Sequence, residues 1–250
     1  MIIKTDHGPI REIRLNRPPV NALSAEFMVA IRQALEEAHK SGVRAVILSG
    51  QPGIFSAGLD LPFLLGLDRP GIERLWRELY ALMRDLTASQ VPIAAAITGH
   101  APAGGTVIAL LCDYRVAAQG EFKLGVNEVQ VGIPLPPVII RALRRQVGPR
   151  QAERLAVAGP VISPDEAWKA GLVDELAAPD QVLERALAWC RTLVAIPPQA
   201  MLATRRHARA DLVALFENPE EELGNAIETW WSEETQGTLR TIVEKLRKKP

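Results

Sequence analysis

The sequence predicts an α/β fold whose last part is all helix. Through the first 178 residues, segments of strand length at Ile10–Leu15, 45–48 and Ile93–Ile97 alternate with longer stretches whose apolar residues recur at helical spacing. The runs at 45–48 and 93–97 are continuous in apolar character, as expected of strands buried on both faces. From Pro179 onward only helical patterns remain. That change divides the chain into a core unit over 1–178 and a helical region over 179–250.

Ile2-Ile3 and Ile10–Leu15 read as two strands turned at Asp6-His7-Gly8-Pro9, and Asn16-Arg17-Pro18-Pro19 ends the second. Ser24 is a helix N-cap. Behind it Phe27, Ile31, Ala34, Leu35 and Ala38 form one face of a helix over Ala25–Lys40, while Glu26, Arg32, Glu36 and Lys40 face elsewhere. The strand at 45–48 is followed by a turn cluster, Ser49-Gly50-Gln51-Pro52-Gly53, and a very apolar segment, 61–67. Pro70-Gly71 opens a helix over 72–88 with Leu75, Leu79, Leu82, Met83 and Leu86 on one face. After the strand at Ile93–Ile97 comes a small-residue loop, Gly99 to Gly105, leading into an apolar helix through Leu111. Pro134, Pro136 and Pro137 precede a helix over 138–147 whose Arg141, Arg144 and Arg145 form a basic face, read as solvated or intersubunit. A further helix covers 150–157, Ser163-Pro164-Asp165-Glu166 starts another, and Gly171 stops it. The C-terminal helices cover 181–194, 197–208 and 219–248. Trp230 and Trp231, being adjacent, cannot share one direction, and both core and interface remain open for them.

Composition narrows the function. Lys plus Arg and Asp plus Glu both number 29, so the formal net charge is zero and no electrostatic footprint for nucleic acid stands out. Nothing approaches the 18 or so uninterrupted apolar residues of a membrane span. The first residues lack an apolar signal core, and Asp6 and Glu12 argue against a mitochondrial presequence. Two cysteines, both in apolar patterns, make no disulfide framework, and a reducing cytoplasm is the expected compartment.

The chemistry concentrates in two bends. Each follows a buried strand, and the second leads into a helix whose first amides lack intrahelical partners. Two such bends can aim two N–H groups at one oxygen, with the positive end of a helix dipole behind them. A phosphate loop is excluded, because Leu59-Asp60 stands where Lys-Ser/Thr is required after 53–58. The spacing around Ser56 is one residue too long for a Gly-x-Ser-x-Gly nucleophile elbow. His7, His39, His100 and His207 are scattered without metal-ligand spacing, and His100 reads as structural or lining. Asp60 reads as a cap for the short helix after it, and Asp113 as a pairing or capping residue. Glu128 remains. It lies among apolar residues in Gly125-Val126-Asn127-Glu128-Val129, where desolvation would raise its pKa, although a surface or helix-paired glutamate fits the sequence equally well.

The motifs GIFSAGLDL (53–61), GHAPAGG (99–105), CDYRVA (112–117) and GVNEVQVGIP (125–134), with LNRPPVNALS (15–24) before them, resemble those of the crotonase (enoyl-CoA hydratase/isomerase) superfamily. Within it the chain is most similar to the mitochondrial-type Δ3,Δ2-enoyl-CoA isomerases. The resemblance implies a spiral of ββα units, with the helical C-terminal region packing over the site and joining the contacts of a homotrimer or a dimer of trimers. It implies an acyl-CoA thioester as substrate, coenzyme A being part of the substrate, with neither a separate cofactor nor a metal. Its two oxyanion N–H groups fall on Leu59 and Gly104, and its catalytic glutamate on Glu128. The backbone at Ser56 and Ala57 would hold the CoA portion, beside Gly58 and Asp60 in the same motif, and 61–67 would line the acyl pocket. Hydratases of the superfamily usually carry a second glutamate three residues beyond the oxyanion glycine, and here that position is Val107. One carboxylate beside an oxyanion hole suits isomerisation rather than hydration. The expected activity is therefore transfer of a double bond from C3 to C2 of a fatty acyl-CoA in β-oxidation. Hydration, another reaction of the superfamily and a non-catalytic acyl-CoA-binding scaffold are the alternatives.

Overall fold

A computed structural model describes residues 1–247. Strands β1 (Ile2–His7) and β2 (Ile10–Leu15) pair antiparallel with Ile2 opposite Leu15. Helix α1 (Ala25–Lys40) follows the Ser24 cap, whose hydroxyl accepts from the Phe27 N–H. Next come β3 (Ala45–Ser49), β4 (Gly53–Ile54), the single-turn α2 (Leu61–Leu64) and the long α3 (Arg69–Thr87). They lead to β5 (Ile93–Ile97), β6 (Gly99–Pro102), α4 (Gly104–Leu111), β7 (Tyr114–Ala118) and β8 (Leu124–Gly125). A 3-10 turn at Glu128–Val131 precedes α5 (Pro137–Val147), α6 (Pro149–Ala158), α7 (Pro164–Lys169) and β9 (Glu175–Ala177). Helices α8 (Val182–Val194), α9 (Pro198–Ala208), α10 (Ala210–Val213), α11 (Glu220–Trp230) and α12 (Glu233–Arg247) complete the described chain.

The strands form two sheets. The larger has the order β1-β2-β3-β5-β7-β9, parallel from β2 onward, and the smaller, β4-β6-β8, is parallel throughout. Each of β3, β5 and β7 is thus followed at once by a short strand in the second sheet, and β4 and β6 then lead into helices. This is the ββα spiral that the sequence leads one to expect. The apolar-run criterion passes over β4, β6 and β8 because strands of two to four residues carry no readable period.

The central strands β3 and β5 of the larger sheet are buried on both faces, which explains their unbroken apolar runs. Val46 and Leu48 of β3, with Ile93, Ala95 and Ile97 of β5, join Phe27, Met28 and Ile31 of α1 in the main core. Ala45, Ile47, Ala94 and Ala96 point the other way, onto Val182, Ala186 and Cys190 of α8. Each fully buried Phe, Met or Ile contributes about 1.5–3 kcal/mol relative to exposure.

Two helices depart from the sequence reading by more than a residue, both through side-chain caps. Helix α3 starts at Arg69 rather than 72, because the Asp68 carboxylate accepts from the Gly71 N–H at 3.0 Å. The single helix expected over 219–248 is two, broken at Trp231-Ser232, where the Ser232 hydroxyl accepts from the Thr235 N–H and caps the second. The tryptophans divide accordingly. Trp230 is buried edge-on against Trp76 of α3, with ring centroids 6.5 Å apart, while Trp231 is 36% exposed. Near the C-terminus Lys245 is exposed, while the Arg247 side chain, Lys248 and Lys249 lie outside the described residues.

The far end of α4 is held as firmly as its beginning. Arg115 donates to the Cys112 carbonyl at 2.9 Å, and also to those of Ala109 and Leu110, while pairing with Asp174 at 2.7 Å. Arg209 donates to the Leu111 carbonyl. Asp113 joins the cluster, accepting both arms of Arg205, a longer bond from Arg209, and the Ile93 N–H. These buried cations satisfy the carbonyls that a helix C-terminus leaves open.

Candidate active site

The two bends predicted to meet do meet. Gly58 has φ +79°, and a methyl group there would sit 2.9 Å from the Gly104 nitrogen. A methyl on Gly105 would run into the Ser56 carbonyl oxygen. The glycines therefore let the two chains touch, and that contact brings the Leu59 and Gly104 amides to one cavity.

Each amide is left free by an identifiable bonding pattern. Leu59 forms a parallel bridge with Leu23, in which Leu23 N–H donates to the Gly58 carbonyl and Asp60 N–H donates to the Leu23 carbonyl. Those bonds use the residues on either side and turn the Leu59 N–H away. The Gly104 N–H opens α4 and has no intrahelical partner. Neither N–H finds an acceptor among the described residues. The α4 terminus is pinned, since the Thr106 hydroxyl donates to the Ala101 carbonyl and accepts from the Gly125 N–H at 2.9 Å.

The cavity encloses about 130 Å³. Leu59 and Leu61 wall it on one side of the sequence, Trp76 and Leu79 come from α3, Val107 from α4, and Ile133 and Ile139 from the segment after Glu128. Glu128 is the single carboxylate among these lining residues. Its Oε2 is buried and has no hydrogen-bond partner among the described residues, and burial pushes the carboxyl up to about 7. A carboxylate so placed can take and return a proton near neutral pH. The 3-10 turn that carries it is held from behind by α12, where the Thr235 hydroxyl donates to the Gly132 carbonyl at 2.6 Å.

The remaining residues of the sequence reading separate into lining and support. Ala57 lines the cavity, its N–H held by the Val20 carbonyl at 3.0 Å. Ser56 is fully buried and its hydroxyl is already used, donating to the Asn21 carbonyl and accepting from the Gly58 N–H. Asp60 accepts from the Phe63 N–H at the start of α2 and pairs with Arg17 at 2.8 Å, so it braces the first bend. His100 accepts from the Lys123 N–H and stacks edge-on with Phe122, a structural role. The 61–67 segment divides: Leu61 lines the cavity, Leu64 is core, and Phe63 is half exposed. Sequence reasoning missed Trp76 and Asn127. Trp76 belongs to a helical face with Leu79, Tyr80 and Met83, a spacing that would have found it; Asn127 carries no such signal.

This arrangement is matched by known proteins. The family model described as enoyl-CoA hydratase/isomerase covers residues 5–249. The chain belongs to the enoyl-CoA hydratase/isomerase family. Within that family it is 35% identical to the mouse mitochondrial enoyl-CoA delta isomerase 1 over all of this chain and 88% of that protein. It is also 35% identical, over 83% of this chain and 79% of that protein, to a probable enoyl-CoA hydratase of Mycobacterium avium. The crystal structure of human mitochondrial delta3-delta2-enoyl-CoA isomerase superposes with a TM-score of 0.94 at 31% identity, covering 98% of both chains. The family's crotonase fold is thus the fold of this chain.

Proposed function

We propose that the protein is a Δ3,Δ2-enoyl-CoA isomerase acting on fatty acyl-CoA thioesters. The observation that carries the reading is the cavity wall: one carboxylate, Glu128, raised to about 7, shares it with the apolar Val107 and with the two unpaired N–H groups of Leu59 and Gly104. With the thioester oxygen between those donors, the Glu128 carboxylate removes a proton from C2. The electron pair delocalises over the dienolate, whose oxygen takes the developing charge toward the N-terminus of α4. Glu128, now a carboxylic acid, returns a proton to C4, and the double bond lies between C2 and C3 with the enzyme restored. Val107 supplies no second acid or base to order an attacking water, which disfavours hydration. The Ala57 carbonyl holds the CoA portion in this reading, with the buried Ser56 bracing the bend behind it, and no separate cofactor takes part.

Unsaturated fatty acid β-oxidation is the pathway in which such a double-bond shift is needed. The buried free thiols of Cys112 and Cys190 suit a reducing compartment such as the cytoplasm.

The test is to give one preparation 3-enoyl-CoA and 2-enoyl-CoA side by side and to separate the products by chromatography. The 3-enoyl substrate should become 2-trans-enoyl-CoA, with hydration at no more than about a hundredth of that rate if a missing acid/base group costs its usual factor. Hydration as fast as isomerisation would move the chain to the hydratases. No product from either substrate at any acyl length would favour an acyl-CoA-binding scaffold.

A further inference from the structure

We propose that Asn127 is a positioning residue that sets the Gly104 N–H donor by holding Ala103 in a backbone conformation that L residues rarely adopt. Ala103 has φ +47° and ψ −123° and immediately precedes Gly104. Its N–H is held twice, by the Gly125 carbonyl at 2.7 Å and by the Asn127 Oδ1 at 3.0 Å. Strain of this kind persists only where surrounding bonds over-determine it. The Ala103–Gly104 peptide contains the donor nitrogen itself, so any relaxation at Ala103 re-aims the Gly104 N–H. Asn127 also directly precedes Glu128, and both line the cavity. One dipeptide therefore supplies the base and helps to fix the donor, the Asn127 side chain adding a second hold on Ala103 to that of the Gly125 carbonyl. The proposal rests on the reading of Glu128 and Gly104 given above.

The experiment compares wild type, Asn127→Ala and the double variant Asn127→Ala/Ala103→Gly on a 3-enoyl-CoA, with circular dichroism to establish folding. The single variant should lose about 10–100-fold in kcat, the scale of a small misplacement of a catalytic group, with KM changed by no more than roughly threefold. The pH midpoint of kcat/KM should stay where wild type has it, because Glu128 keeps its burial. The double variant should recover at least about fivefold, since glycine adopts the required conformation without being held. If the alanine variant does not fold, Asn127→Ser, whose hydroxyl is too short to reach Ala103, replaces it with the same expectations. A kcat within about threefold of wild type, a moved pH midpoint, or no recovery in the double variant would each overturn the assignment. A wild type inactive on 3-enoyl-CoA would overturn the functional reading and this proposal with it; an active wild type with an indifferent Asn127 overturns the proposal alone.

Discussion

At the scale of single residues, the site turns on the cost of keeping Glu128 where it is. Its carboxyl titrates at about 7 against an ordinary 4.5, so the folded protein holds a proton there that the unfolded chain releases. Folding stability tied to this group is therefore intact below about pH 4.5 and falls as pH rises through 7. Glu128→Gln removes that penalty. It should raise the melting temperature at pH 8, where up to about 3 kcal/mol is at stake, and the gain should fade toward pH 4.5. The same substitution should lower turnover by about 10²–10⁴-fold, and wild-type kcat/KM should rise with pH to a plateau above about 7. Isomerase activity of Glu128→Gln within threefold of wild type, or a midpoint near 4.5, would remove Glu128 from this role. Glu128 and the two glycines are legible through the resemblance of their contiguous motifs, since the sequence around Glu128 fits a surface or helix-paired glutamate equally well. The hold of Asn127 on Ala103 is not, since it is a tertiary hydrogen bond across 24 positions to a backbone angle.

Among elements, the contact between the bend after β4 and the start of α4 is the part of the fold that the reaction would feel first. Gly58→Ala places a methyl against the Gly104 nitrogen and forces an L residue to φ +79°. It should cost about 1–2 kcal/mol of stability from the backbone alone and about 10²-fold in kcat if the donor moves by an ångström. Thermal denaturation and steady-state kinetics on the same variant measure both; a stable variant with normal kcat would mean that the two bends adjust independently. The longer elements are legible from apolar periodicity. The break between α11 and α12 is not visible to periodicity, because both helices keep apolar residues at helical spacing and only the Ser232 cap separates them.

For the molecule as a whole, the helical C-terminal region resembles one that completes its fold against neighbouring subunits, and Val157, Trp168 and Val161 are large apolar residues left exposed in the single chain. A homotrimer or a pair of trimers is expected, and light scattering should return about three or six chain masses. A stable species at the 27.3 kDa of one chain would contradict this. The two-layered spiral was legible only through the resemblance of its motifs, for the small sheet that makes it a spiral is built from strands too short to announce themselves.

The arginines at the end of α4 have a kinetic corollary. All eight residues of that helix are buried, its first turn is tied to β6 and β8, and its last carbonyls are gripped by Arg115 and Arg209. A helix fastened at both ends has no low-energy way to fray, so its hydrogen-bonded amides, from Val107 onward, should exchange with deuterium only when the entire chain opens. Loss of the Gly104 donor and global unfolding would then be one event, and the opening free energy read from the protected amides of α4 should equal that of the whole chain.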